Sequence, residues 1–464
     1  MAIEEDLSEW EIASTGKMIS YGLGYLVINA LVSLGGLFYF YEVEMGLPVI
    51  YVMAAIIIFA IWNMVNDPLL GYLTDRPLKW TPKYGLRAPW VVFSAFPLLI
   101  FYVLIYTPPL GASNIIIFVW LIAITCLFDT FFSIYNDHVY GGFTNQFPSE
   151  YERRRAFAIA TVLMGTIMTA LGIIRLFIIQ WGKPETFAMA ALVTAIILGV
   201  MNIFVFRGIR ESEEMKQMFI SSYEKAEQKG FFSAMKTALK TKNFRVSLVG
   251  YTISVTAMAG LWNASQSYML KDVYGVDPAA GILPTLVGVA AFLGFIPFWY
   301  NYARKHGFKK TYYTCFILHG LTFIPFLFTT NIIQHTIFVF ILYMVYSGEV
   351  IMLMPVASDT YDEVASKLEK RGDAMLVGVR NFFFRVAFIV VAVALGGIHI
   401  LTFYDPNPAA IQSPEAILGI RIHAALIPAI MYIVMGFIFK KYYTLEGAEK
   451  EALVRKLKDL GIYR

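Results

Sequence analysis

Residues 48–73 read PVIYVMAAIIIFAIWNMVNDPLLGYL. From Val49 to Trp62 there is no charge and no amide, and a helix of about 20 such residues crosses the hydrocarbon core of a bilayer. The last third changes character: Asn63, Asn66 and Asp67 stand at i, i+3 and i+4, on one face of that helix. Working outward, comparable apolar runs occur at roughly 18–41, 89–107, 114–140, 155–180, 185–206, 245–270, 280–302, 311–330, 335–361, 374–403 and 417–439. Together with 48–73 they predict an all-α membrane protein with twelve transmembrane helices.

Composition agrees. Of 464 residues, 58% are hydrophobic and 15% charged, against about 25% charged in soluble domains, and mean hydropathy is +0.62. This excludes a disordered chain, a nucleic-acid binder and an ordinary cytosolic enzyme. Cys126 and Cys315 both sit in apolar runs, so neither a disulfide framework nor a CxxC metal site is expected. The chain contains no GxxxxGK[ST] phosphate loop and no TVGYG-like ion filter.

Charge sets the orientation. The start, MAIEEDLSEWE, is acidic and lacks a basic n-region, so no signal peptide is expected and the first span acts as the insertion signal. Of the 37 Lys and Arg, 31 fall in segments on the side of the N-terminus, and only Lys183 and Lys271 fall in the alternate loops. This asymmetry predicts a multi-pass cell-membrane protein with both termini cytoplasmic.

The longest polar stretch, 208–244, divides the spans six and six. The expected organisation is a six-helix bundle over 1–207, a cytoplasmic loop over 208–244, a second six-helix bundle over 245–440 and a tail over 441–464. In the loop, Met215, Met218, Phe219, Phe231, Met235 and Leu239 recur at helical spacing, which fits amphipathic helices on the membrane face or a solvated linker. Leu453, Leu457 and Leu460 form a similar stripe in the tail. The halves are weakly alike: YFYEVEMGLP (39–48) ends the first span and YMLKDVYGVDP (268–278) the seventh. Two pseudo-symmetric bundles with a midplane site describe a secondary transporter.

A charge at the centre of a membrane helix costs roughly 2.5–3.5 kcal/mol on the insertion scale, so each one needs a reason. The face of Asn63, Asn66 and Asp67 carries one carboxylate and two amide oxygens, suited to a hard cation or, through Asp67, a proton; packing between helices is the structural alternative. Asp129, Ser133 and Asn136 share a face of the fourth span, with Asp137 beside them near its cytoplasmic end. In the eleventh span Asn381 and Arg385 share a face, and Arg385 is too deep to reach the surface, so it must face a cavity or a carboxylate. Glu349, mid-helix in the tenth span, needs a partner or a proton. Arg421 and His423 are expected at the outer surface. Asn29 lies mid-span with Tyr25 and Ser33, and Tyr140 is an aromatic at the end of the fourth span.

The stretch NDPLLGYLTDR (66–76) followed by GLRAPW (85–90) resembles the glycoside–pentoside–hexuronide:cation symporters of the major facilitator superfamily, melibiose permease being the familiar member. PSEYERR (148–154) and ASDTYD (357–362), with Lys367 and RGD (371–373), agree with it. The resemblance covers essentially the whole chain. It implies a cation site of Asn63, Asn66 and Asp67 with Ser133 as hydroxyl ligand. Asn63 stands where the family usually has a second aspartate, leaving Asp67 as the only acidic residue on that face. The acidic sugar-binding positions fall on Asn29 and Asn136, an arginine of the fifth helix falls on Thr161, and the deep lysine of the eleventh falls on Arg385. Asn29, Asn136, Tyr140, Asn381 and Arg385 form the expected substrate site, and Asp75, Arg76 and Arg87 the cytoplasmic gate.

The expected function is symport of a small polar solute, glycoside-like or an organic anion, coupled to Na⁺ or alternatively H⁺, by alternating access. A sodium-coupled lysolipid carrier is one alternative and a non-transporting receptor another. The expected partners are a small-molecule substrate and the bilayer, without nucleic acid, in a monomer. No catalytic residue, cofactor or structural metal is expected beyond the coupling cation.

Overall fold

The structure is a computed structural model that describes residues 13–32, 36–74, 76–147, 149–217, 220, 231–369 and 373–460. These are helices and short connections, with no strand among the described residues. In hydrocarbon no water satisfies the backbone, and a helix pairs its N–H and C=O groups within itself. Ten stretches are long and apolar enough to cross a membrane. One of them, Pro278–Leu327, is two helices joined at Gly307, whose φ of +79° breaks the ladder. Counting these separately and adding the shorter Thr15–Val32 helix recovers the twelve spans expected from hydropathy.

The chain forms two compact units. One holds the described residues within 1–34, 62–179 and 184–227; the other holds those within 35–61, 180–183 and 228–464. In the first unit, Gly208 lets the Pro184–Gly208 helix press onto Thr15–Val32. A Cβ there would lie 2.5 Å from the Tyr21 nitrogen. Tyr135 donates to Asn202 Oδ1 at 2.6 Å, so a buried amide finds its partner inside the unit. The Glu150–Ile178 helix opens on a reciprocal cap between Ser149 and Glu152, and Glu152 also accepts from the Ala13 nitrogen at 2.7 Å.

The second unit packs around Trp262, Phe316, Phe323, Tyr432 and Met435. The end of the first span lies here. Beyond Val32 the chain continues as Leu37–Tyr39 and a π-helical turn, Phe40–Glu44, all buried. Glu349 has the partner its depth requires: His319 Nδ1 at 2.7 Å, also buried.

The amphipathic segments that resemble membrane-surface helices pack on protein where they are described. The Phe231–Lys240 helix buries Ala238 against Phe244, Leu248 and Val364, with Met235 and Leu239 alongside. The tail helix Gly447–Asp459 buries Leu457 and is held by Lys450, 2.6 Å from Asp359. Met218 and Phe219 lie outside the described residues.

A Cβ at Gly320 would come within 2.7 Å of the Ala429 carbonyl oxygen and 2.9 Å of the Ile433 nitrogen. Those atoms are backbone and cannot step aside. Gly320→Val is expected to cost about 1–3 kcal/mol, read as a lower thermal midpoint of the purified protein in detergent. Gly294→Val, in open space, should leave the midpoint within about 0.5 kcal/mol of wild type.

Candidate functional site

Within the first unit the polar faces of the second and fourth spans meet. Asn63 Nδ2 donates to Asp129 Oδ1 at 2.5 Å, and Asn66 Nδ2 donates to Asp129 Oδ2 at 3.2 Å. One turn along, Ser133 Oγ donates to Asp67 Oδ1 at 2.5 Å. Asn63, Asn66, Asp129 and Ser133 are buried and Asp67 is half-buried. The helices Val49–Thr74 and Asn114–Gln146 hold these side chains because each repeats them at i, i+3 or i+4.

The expected cation residues Asn63, Asn66, Asp67 and Ser133 are thus neighbours, and the fold adds one. Asp67 is the only acid on its own helix face, but Asp129 supplies a second carboxylate from the facing helix. Sequence reading placed Asp129 on a face with Ser133 without assigning it to the site. The signal was its i−4 spacing from Ser133; its contact with Asn63 is 66 residues away in sequence. Two carboxylates, two amides and a hydroxyl meet here, the amides turning their Nδ2 hydrogens to Asp129. The oxygens of such side chains are of the type that a hard cation takes as ligands.

Asn29 lies in the same unit and donates to the Tyr25 carbonyl at 2.8 Å and to the Tyr140 hydroxyl at 3.4 Å. Tyr140 is exposed and meets the Tyr25 ring edge-on at 4.5 Å. Asn136 donates to Asp137 Oδ1 at 3.2 Å. Thr161 turns its hydroxyl back to the Phe157 carbonyl.

Asn381 and Arg385 belong to the second unit. Arg385 Nη1 donates to the Asn381 carbonyl at 2.9 Å, and its guanidinium lies 5.4 Å from the Phe384 ring centre. Arg380, on another face, sits 4.8 Å over the Tyr251 ring.

Of the expected gate, Asp75 lies outside the described residues and Arg76 is half-buried. Arg87 crosses Gly141 and Gly142, where a Cβ at Gly141 would come within 2.4 Å of its Nη1. Its backbone nitrogen donates to both Glu211 oxygens, at 3.2 and 3.1 Å, which caps the Ala88–Ile105 helix. Burial pushes the Glu211 carboxyl above the ordinary glutamate range, and the N–H groups of Arg87 and Ala88 pull it back. Glu211 lies in the central loop and carried no spacing signal.

His423 corrects an expectation. Sequence alone put it at the outer surface, but it is fully buried in the second unit, 2.7 Å from Ser265 and 3.2 Å from His399. Residues two apart lie on nearly opposite faces of a helix, so His423 turns into the unit while Arg421 reaches the Thr329 carbonyl.

Comparison with known proteins agrees with this architecture. A family model described as MFS/sugar transport protein matches residues 18–446. The chain belongs to that family, and with it to the glycoside–pentoside–hexuronide:cation symporters of the major facilitator superfamily. YagG of Escherichia coli strain K12, provisionally named a glycoside/cation symporter, is 23% identical over 456 residues, 95% of this chain and 94% of that one. A sodium-dependent lysophosphatidylcholine symporter of Xenopus tropicalis is 30% identical over 121 residues, only 25% of this chain and 22% of that protein. The crystal structure of the nucleoside transporter NupG superposes with a TM-score of 0.62 at 13% identity, covering 93% of this chain and all of that one, which shows the major facilitator fold. Members of this family are transporters, not enzymes.

Removing the Asp129 carboxylate strands two amide donors, each costing about 1–3 kcal/mol when buried without a partner. Asp129→Ala is therefore expected to lower the thermal midpoint more than Asp129→Asn, which keeps an acceptor. Equal midpoints for the two variants would mean that the amides do not depend on this residue.

Proposed function

We propose that the chain is a cation-coupled symporter of a small polar solute that carries negative charge. The observation that carries the reading is the pairing of Asp67 and Asp129 with Asn63, Asn66 and Ser133. Two carboxylates in a low-dielectric site repel each other and are costly to move across the bilayer midplane. A bound Na⁺ offsets that charge, so occupancy licenses the helix movement that exposes the site to either side. A proton at Asp67 is the alternative coupling ion. The lysine and arginine asymmetry supports cytoplasmic placement of both termini.

Arg385 supports the substrate class. A guanidinium stays ionised at any physiological pH and offers a planar fork of donors that matches a carboxylate, sulfonate or phosphate. Asn29 and Asn136 replace the acids that the resemblance places in a sugar site. We assign Asn29, Asn136, Tyr140, Asn381 and Arg385 to the solute and Asp75, Arg76 and Arg87 to the cytoplasmic gate. A lysolipid carrier is a second reading, supported by the partial match noted above and by an apolar groove in the first unit lined by Phe96, Leu99, Ile100, Leu192 and Ile196.

Sodium binding is tested without knowing the solute. A ligand present at about 100 times its dissociation constant stabilises the protein by about 2.7 kcal/mol. Na⁺ is therefore expected to raise the thermal midpoint of wild type more than choline does, and Asp67→Asn should abolish the difference. A full Na⁺ response in Asp67→Asn puts the cation elsewhere, and a pH response with no Na⁺ response assigns the coupling to protons.

Solute charge is tested by competition. Binding of a uronate or sulfonate glycoside is expected to weaken in Arg385→Lys, which loses the fork, and to fall below detection in Arg385→Ala. A neutral glycoside that binds tightly in Arg385→Ala would overturn this assignment, and a lysolipid that outcompetes every uronate would favour the amphiphile.

A further inference from the structure

The second unit holds a buried titratable cluster that shares no residue with the carboxylate pair. Glu42, at the end of the first span, accepts from the Tyr268 hydroxyl at 2.6 Å, and both its oxygens lie 2.9 Å from His399 Nδ1. His399 Nε2 lies 3.2 Å from His423 Nε2, and His423 Nδ1 lies 2.7 Å from Ser265 Oγ. Ser265 Oγ donates to the Leu261 carbonyl at 2.5 Å. Glu42, His399, His423, Ser265 and Tyr268 are all buried. Three of the contributing segments contain or adjoin π-helical turns, Phe40–Glu44, Met269–Val273 and Ile422–Leu426, a geometry that recurs at functional sites because it re-aims one side chain at the cost of a regular ladder.

The hydrogens of this chain can be counted. A serine hydroxyl has one hydrogen and a neutral imidazole has one. With the Ser265 hydrogen on the Leu261 carbonyl, Ser265 Oγ can only accept, so His423 Nδ1 carries a hydrogen. If His423 is neutral, its Nε2 is bare and His399 Nε2 must carry the hydrogen between them. A further hydrogen is then needed between His399 Nδ1 and Glu42, as an imidazolium facing a carboxylate or a neutral imidazole facing a carboxylic acid. If His423 is itself the imidazolium, the total is the same. Each arrangement holds one proton more than an ionised Glu42 with two neutral imidazoles. To lose that proton, every hydrogen in the chain must reverse, and Ser265 must leave Leu261 for His423.

We propose that Glu42, His399 and His423 form a proton-binding site whose occupied state holds the end of the first span against the seventh, eleventh and twelfth. The groups facing it are accounted for on every side. Tyr404 stacks on His399 at 4.4 Å and donates to Asp272, which pairs with Lys271 at 2.9 Å. Tyr39 meets Tyr268 edge-on, Glu44 accepts from the Gly182 nitrogen, and Arg421 points to the Thr329 carbonyl. No cation among these pairs with Glu42, so the proton is its counter-charge. An arrangement that binds one more proton than its alternative is favoured at low pH and lost as pH rises. Raising the pH therefore loosens the hold on the first span.

The test is nitrogen NMR of histidine side chains in the purified full-length protein, titrated from about pH 5 to about pH 9. His423 is assigned by loss of its signal in His423→Asn. In wild type, His423 Nδ1 is expected to carry hydrogen at low pH and to lose it to Nε2 in one step as pH rises. Glu42→Gln should lose the step. Should Glu42→Gln fail to fold, Tyr268→Phe removes one donor from the carboxylate and should move the step to higher pH. A His423 tautomer that does not change over the range, or a step unmoved by both substitutions, overturns the proposal. The readout needs neither solute nor Na⁺, and Asp67→Asn should leave the step in place while abolishing any Na⁺ response, so failure here and failure of the symport reading are separate results. A step that disappears in Asp67→Asn would also overturn the proposal.

Discussion

In hydrocarbon an ionised or polar side chain has no water to fall back on, so each one is bonded inside the protein or costs several kcal/mol. This constraint selects the contacts of both units. Asp129 is satisfied by the amides of Asn63 and Asn66, Glu349 by His319, and Glu42 by Tyr268 and His399. Each pair joins different spans. A buried pair adds little net stability, because desolvation offsets its attraction, but breaking one leaves an uncompensated charge. Such pairs therefore decide which helices are neighbours more than how firmly they hold. Apolar side chains cannot do this in lipid, where the tails are as apolar as leucine and close packing depends on small residues such as Gly208 and Gly320.

The same cost turns a structural contact into a functional one. A carboxylate pair that is tolerable with a cation and costly without one has two states of different charge. Coupling is the requirement that the low-charge state be the one that rearranges. The proposed symport site follows this rule, whereas the proton site proposed at Glu42 does the reverse, its protonated state holding the first span and its charged state releasing it. Asp67 and Asp129 are held by a hydroxyl and two amides, residue types from which the proposed cation site is drawn. Glu42 sits among phenols and imidazoles, which relay hydrogens and coordinate no hard ion.

The helices outside the spans follow a related logic. An amphipathic helix lowers its free energy by covering its apolar stripe, and lipid or protein serves equally by composition. Phe231–Lys240 and Gly447–Asp459 settle on protein because complementary partners are at hand: the pocket of Phe244, Leu248 and Val364 for one, and Asp359 facing Lys450 for the other.

The sequence by itself determined the class of fold. Length of apolar run, charge asymmetry and the NDPLLGYLTDR stretch are local properties, and the bilayer imposes a helix on any segment that crosses it. The face of Asn63, Asn66 and Asp67 was legible for the same reason, since i, i+3 and i+4 spacing needs no tertiary knowledge. Tertiary structure alone decided what those faces meet. Asp129 enters the site from 66 residues away, and Glu42 meets His399 from 357 away. No periodicity connects such pairs. His423 went astray for a third reason: position near a span end says nothing about which face a residue occupies, and the face of His423 meets Ser265 and His399 from other spans. Spacing reports what one helix presents, and only packing reports what it is presented to.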